Sequence, residues 1–123
     1  MEYIKSFEEA CELLGHDPKK VLPDLSMYPE KDRNAVGAYC KRIIITDALN
    51  RQDNDGKEWF PDWGNTNEYK YEIWFDMAGF SYYGYDHWPT YSACGSRLCF
   101  KKWETAKYAA KQFEDVFKME FLK

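Results

Sequence analysis

The side chains in this sequence that could do chemistry are few and scattered. Asp86 and His87 are an adjacent acid and imidazole, the residue types a general base needs when a carboxylate orients it. Neighbours on an extended strand point to opposite faces, so on a strand the two form no such unit. A place at a sheet end, or a binding role for His87, is what remains. Cys94 and Cys99 stand five apart across Gly95-Ser96-Arg97-Leu98. That is not the two-residue gap of a zinc knuckle, and the two histidines of the chain do not complete a tetrahedral site. A nucleophilic thiol would need His87 or Arg97 beside it; the plainer reading is two buried or half-buried thiols in a strand. The sequence contains no phosphate-cradling glycine loop, no paired metal-binding motif and no nucleophile elbow. No catalytic residue, metal ligand or cofactor is therefore assigned.

Aromatic side chains are the other chemical resource. Trp59-Phe60-Pro61-Asp62-Trp63 brings two indoles and a phenyl ring together around a proline and an acid. Either the rings fold back as a lid on the core, with Asp62 capping a turn, or they stay partly exposed as a platform for a peptide, a base or a sugar. Trp74, Tyr83, Tyr85 and Trp88 extend such a platform, and Arg97 supplies a planar cation beside it or pairs with a carboxylate of the sheet. The candidate binding residues are thus Trp59, Asp62, Trp63, Trp74, Tyr83, Tyr85, His87, Trp88 and Arg97.

Composition narrows the partner. Aromatics make up 19% of 123 residues, and most lie between Trp59 and Trp103, so the second half must bury or display a large ring cluster. The 17 basic and 21 acidic side chains give a net charge of −4, which disfavours a phosphate backbone. The doublets Lys19-Lys20, Lys41-Arg42 and Lys101-Lys102 read as solvated helix or strand ends. No apolar run reaches the roughly 18 residues of a membrane span, and Met1 to Lys5 lacks the regions of a signal peptide. The expected setting is the cytoplasm, with the four cysteines reduced.

The elements that must position these residues follow from periodicity. Ser6-Phe7-Glu8-Glu9 is a capping box, Phe7, Ala10, Cys11 and Leu14 recur at helical spacing, and Gly15 suits a left-handed stop. Asp17-Pro18 opens a turn or two before Pro23. A longer, central helix runs from Pro29 to about Asn50, with Val36, Tyr39, Cys40, Ile43, Ile44, Asp47 and Ala48 on one side. Arg51 to Lys57 is the expected mobile loop.

From Glu68 the period becomes two. Tyr69, Tyr71, Ile73, Phe75 and Met77 form a core face, and Lys70, Glu72, Trp74 and Asp76 a largely solvated one. Ala78-Gly79 turns the chain into a second strand, Phe80 to Trp88, and a third is expected over Tyr91 to Phe100. Ala106, Ala109, Ala110, Phe113, Val116, Phe117 and Phe121 then mark one amphipathic closing helix. The expected fold is a single α+β domain over residues 1–123: two N-terminal helices, a three-stranded antiparallel meander rich in aromatics, and a C-terminal amphipathic helix, with an extra short strand at Trp59 to Trp63.

Ser6-Phe7-Glu8-Glu9-Ala10-Cys11 with Leu14-Gly15 and Asp17-Pro18, then Leu22-Pro23-Asp24, Pro29-Glu30-Lys31, Ala48-Leu49-Asn50, Pro61-Asp62-Trp63 and Gly95 to Lys101, resemble a group of short uncharacterised proteins of gut Bacteroidales and their phages and prophages. The resemblance covers nearly the whole chain and is most specific over Gly95 to Lys101, followed by Ala106 to Ala109 and Gln112-Phe113. It implies a phage or mobile-element origin and carries no functional residue with it. The chain departs from the group's pattern in a longer loop before Trp59, in Glu72-Ile73 where a tyrosine-proline pair stands, and in Lys102 where a serine would cap the last helix.

The functional expectation is a small non-enzymatic binding protein that meets a protein partner, or a second copy of itself, through an aromatic sheet surface. Two alternatives are a single-stranded nucleic-acid binder, in which rings stack on bases, and a ligand-sequestering protein or small enzyme with a pocket between sheet and helices.

Overall fold

In the computed structural model, which describes residues 2–122, the first helix starts where hydrogen-bond chemistry places it. Ser6 Oγ accepts from the Glu9 amide at 3.1 Å, and the Glu9 carboxylate accepts from the Lys5 amide at 3.1 Å. Helix α1 (Phe7–Leu14) follows and ends at Gly15, whose φ of 77° lets the Gly15 and His16 amides close back on Glu12 and Cys11. Asp17 then organises one turn by accepting the Lys19 amide on its side chain and the Val21 amide on its carbonyl, both at 2.9 Å.

Helix α2 (Glu30–Gln52) is central, packing against α1 and against both C-terminal helices. Its deepest side is not the apolar stripe expected from sequence. The buried residues are Ala38, Arg42, Ile45, Thr46, Ala48, Leu49 and Asn50; Ala48 belongs to that stripe, while Ala38, Arg42, Ile45 and Leu49 lie nearly opposite its centre at 100° per residue. Polar residues on this side are held by specific partners that an apolar count cannot register. The expected mobile loop is also revised. Arg51 and Gln52 belong to α2, and buried Asp53 accepts the Tyr3 hydroxyl at 2.8 Å and the Thr105 hydroxyl.

Strands β1 (Lys70–Asp76) and β2 (Ser81–Trp88) form a two-stranded antiparallel sheet, so the fold is α+β, with four helices among the described residues. Tyr71 faces His87 and Ile73 faces Tyr85 on the helix side, while Lys70 faces Trp88 and Glu72 faces Asp86 on the other. Trp74 pairs with Gly84 and Phe75 with Tyr82, which leaves Tyr83 as the extra residue of a bulge.

The third strand over Tyr91 to Phe100 does not form; only Phe100 makes a bridge, to Tyr71 of β1. Past this bridge the Asn50 carboxamide donates to the Cys99 carbonyl at 2.9 Å and accepts the Lys101 amide at 3.0 Å, on the side of the segment turned away from β1. Upstream, Ser92 Oγ accepts the Cys94 and Gly95 amides, and Gly95 takes a φ of 79°, so the backbone turns away from the sheet. Trp59 to Trp63 forms no strand either.

The closing helix is likewise two helices, α3 (Trp103–Gln112) and α4 (Glu114–Leu122). The break is at Phe113, with ψ of 29°. It lets α3 lie on the sheet through Ala106, Ala109 and Ala110 while α4 runs along α2, with Phe113 and Phe117 both buried in the shared core. Among the described residues no helix is long and apolar enough to cross a membrane.

The face of β1 expected to be solvated carries two buried charges. Lys70 is 0% exposed and Glu72 6%. The Lys70 ammonium donates to the carbonyls of Asp62, Asn65 and Pro89, with the Glu68 carboxylate at 3.5 Å and the Trp63 ring centroid at 5.2 Å. A buried ammonium without such oxygens is prohibitively costly, and carbonyls left without their donor are costly in turn. Lys70→Met is therefore expected to lower the unfolding free energy by about 2–4 kcal/mol, whereas exposed Lys107→Met changes it by less than about 0.5 kcal/mol. Urea denaturation of the two variants checks this, and equal small effects would contradict the role given to Lys70.

Candidate functional site

The nine aromatic and polar residues singled out from sequence do not share one surface. Trp74 and Trp88 lie on the Lys70 side of the sheet, Trp74 half exposed and Trp88 edge-on to Tyr91. Tyr85 and His87 lie on the helix side, Tyr85 stacked on Trp103 at 5.5 Å and His87 against Tyr69 at 4.5 Å. Tyr83 projects from the bulge and is 78% exposed. Trp63 packs over Lys70 and donates its indole N–H to Ser96 Oγ at 2.8 Å, and Asp62 accepts the Gly64 amide in a local turn. Trp59 and Arg97 meet elsewhere, in a cavity of about 150 Å³ beside Asp47 and Glu58. Arg97 is exposed and carries no ion pair among the described residues.

A different place gathers more chemistry. Tyr71 donates its amide to the Phe100 carbonyl at 3.0 Å and accepts the Phe100 amide at 2.9 Å. Main-chain groups two residues apart on a strand point the same way, so the Ile73 N–H and C=O face this same outer edge of β1. Among the described residues they have no partner, because the 92–98 segment has already turned off. Glu72 holds that segment aside, accepting the Ser92 hydroxyl and the Ala93 amide, the latter at 3.1 Å. What remains is a cleft of about 520 Å³ along the free edge, with Ile73, Phe75, Leu98 and Phe121 as apolar walls and Trp74 at its rim. Trp74 is the one residue of the expected platform that reaches it.

Arg42 and Glu120 also line this cleft. Arg42 Nη1 donates to Glu120 Oε2 at 2.9 Å, with side-chain exposures of 9% and 16%, and the guanidinium lies over the Phe117 and Phe121 rings at 5.0 and 5.1 Å. The pair is charge-compensated but not satisfied: Arg42 Nε and Glu120 Oε1 are buried without a hydrogen-bond partner. Such orphans are rare and costly in folded proteins. In sequence Arg42 stands in the basic doublet Lys41-Arg42, which reads as a solvated end; in the structure it is buried. The usable signal is that Arg42, Thr46 and Asn50 recur every four residues and so share a helix face, a polar stripe on a helix that must be central.

Cys94 lines the same cleft, and burial pushes its thiol up to about 12, reinforced by the Glu72 carboxylate; burial likewise pushes Cys99 up to about 12. Both thiols are free, and neither sits in a strand. A thiol this far from ionising is no nucleophile at neutral pH. Among the described residues no group of three or more His, Cys, Asp or Glu is placed to hold a metal ion. Comparison with protein families, with curated proteins and with solved structures yields no match.

The thiol environment makes a measurable claim. In peptide-resolved alkylation at pH 7.5, Cys94 is expected to react at least about a hundredfold more slowly than free cysteine, with the rate still rising about tenfold per pH unit through pH 10. A rate that levels off below pH 9 would contradict it.

Proposed function

We propose that the chain is a non-enzymatic protein-interaction module, of phage or mobile-element origin as the sequence resemblance implies, that takes an extended segment of a partner protein along the outer edge of β1. The observation that carries this reading is the unpaired Ile73 backbone opening onto an apolar cleft walled by Phe75, Leu98 and Phe121. An incoming strand would continue the pairing that Phe100 begins at Tyr71 and stops. Main-chain hydrogen bonds at about 1 kcal/mol each and two or three buried apolar side chains at about 1.5–3 kcal/mol each, set against the cost of association, place the affinity on the order of micromolar.

A small apolar ligand is the second reading, favoured by the size of the cleft, which lies within the range of small-molecule sites. Nucleic-acid binding loses its support on the sheet. Glu72 and Asp86 stand between Trp74 and Trp88, and the lysine of that face, Lys70, is wholly engaged.

Peptides selected from a random display library against the folded protein are expected to shift the Ile73 amide resonance. They are expected to bind Ile73→Pro at least about tenfold more weakly, since proline removes the edge donor. Selected peptides that bind Ile73→Pro as well as the parent would remove the edge from the proposal. A small molecule retained in native mass spectra and displaced by none of the peptides would favour the second reading.

A further inference from the structure

The free stretch of β1 prescribes what a bound segment must carry on each of its two sides. Tyr71 is already paired with Phe100, so the open edge runs from Ile73 toward Met77. A segment hydrogen-bonded there alternates its side chains between the two faces of the sheet, as β1 does. On the helix side it meets Ile73, Phe75 and Phe121, an apolar wall. On the opposite side the uncompensated charge is negative. Glu72, Asp76 and Asp86 share that face, with Glu72 and Asp86 directly across from each other, and among the described residues none of the three makes an ion pair. Lys70, on the same face, is buried and engaged by carbonyl oxygens.

Trp74 stands between Glu72 and Asp76 on this face and is 51% exposed. A segment residue directly opposite Trp74 has the indole beside it and the two acids as diagonal neighbours, about 7–8 Å away between backbones. An arginine or lysine at that position is attracted by the ring face and by both carboxylates, whereas an acid is repelled by them. Asp76 is exposed, and the Ala78 amide occupies only its Oδ1, at 3.0 Å. Glu72 acts at longer range, because Ser92 and Ala93 hold its carboxylate.

Resting on the edge-docking reading, we infer that the segment taken by β1 is basic as well as apolar, with an arginine or lysine opposite Trp74 between apolar residues that face Ile73 and Phe75. A second copy of the chain does not supply this. The stretch it would offer, Ile73 to Met77, holds Asp76 and no base, so the occupant is a different protein.

Random-peptide display on the folded protein, with binding located by the Ile73 amide shift, is the test. The pool is expected to favour Arg or Lys over Asp or Glu by about tenfold at one position between two apolar ones. Changing that residue to Gln in a selected peptide should weaken binding about tenfold at about 50 mM salt and about threefold at about 500 mM, where exposed charges are screened. Asp76→Asn keeps an oxygen for the Ala78 amide and should reduce the low-salt factor to about threefold, while Glu12→Gln, an exposed acid on α1, should leave it unchanged. Peptides that shift Ile73 without a basic preference, or with one that Asp76→Asn leaves intact, overturn the inference and leave edge docking standing. An equal loss in Glu12→Gln would assign the preference to net charge and overturn it as well. An empty pool, or peptides that leave Ile73 unshifted, overturn edge docking itself. Should circular dichroism show that Asp76→Asn fails to fold, the salt dependence on the parent decides alone.

Discussion

An ammonium group taken out of water must be met by oxygen, and at Lys70 that requirement shapes the second half of the chain. Three carbonyls, from Asp62, Asn65 and Pro89, converge on its Nζ. They belong to the loop before β1 and to the residue just after β2, so one side chain ties the two loops to one face of the sheet. Trp63 is thereby laid over Lys70, and its indole N–H fixes Ser96. Two residues along the same face, Glu72 fixes Ser92 and Ala93. The 92–98 segment is therefore held by polar side chains rather than by a strand ladder, and the outer edge of β1 is left open beyond Tyr71.

What the sequence disclosed and what it withheld divide along this line. The capping box at Ser6, the glycine stop at Gly15, the central helix and the alternation of Tyr71, Ile73 and Phe75 were legible because each is a local periodicity or a local hydrogen bond. The third strand was not, because Tyr91 to Phe100 contains enough ring and apolar residues to suit a strand while its fate is decided by the Ser92 turn and by Glu72, twenty positions away. The same holds for α2. An apolar count finds the stripe through Ile43 and Ile44, but Arg42 and Asn50 are drawn inward by Glu120 and by the Cys99 to Lys101 backbone, contacts invisible to any window of the sequence. The closing helix broke at Phe113, where α3 leaves the sheet and α4 takes up its place along α2, a change of neighbour that a helical periodicity does not show.

The candidate site was the least legible part for the same reason. Aromatic abundance pointed to a platform, yet the rings mostly serve the fold. Tyr85 stacks on Trp103, Trp63 shields an ammonium, and Phe75 lies flat on Phe80 at 4.6 Å, whose φ of 45° places a left-handed residue at the hairpin turn. The place richest in unmet interactions combines a bare strand edge with a buried ion pair. Exposed edges invite indiscriminate pairing, and proteins ordinarily blunt them. Here the edge is short, closed at one end by Phe100 and flanked by the Arg42 and Glu120 pair.

Amide hydrogen exchange in the free protein tests most directly whether that edge is bare. With the Tyr71 and Phe100 amides locked in their mutual bridge and Ile73 unpaired, the first two should be protected and Ile73 should exchange faster by on the order of a hundredfold. Ile73 protection equal to that of Tyr71 would mean that the edge is already covered, and a docking site there could not stand.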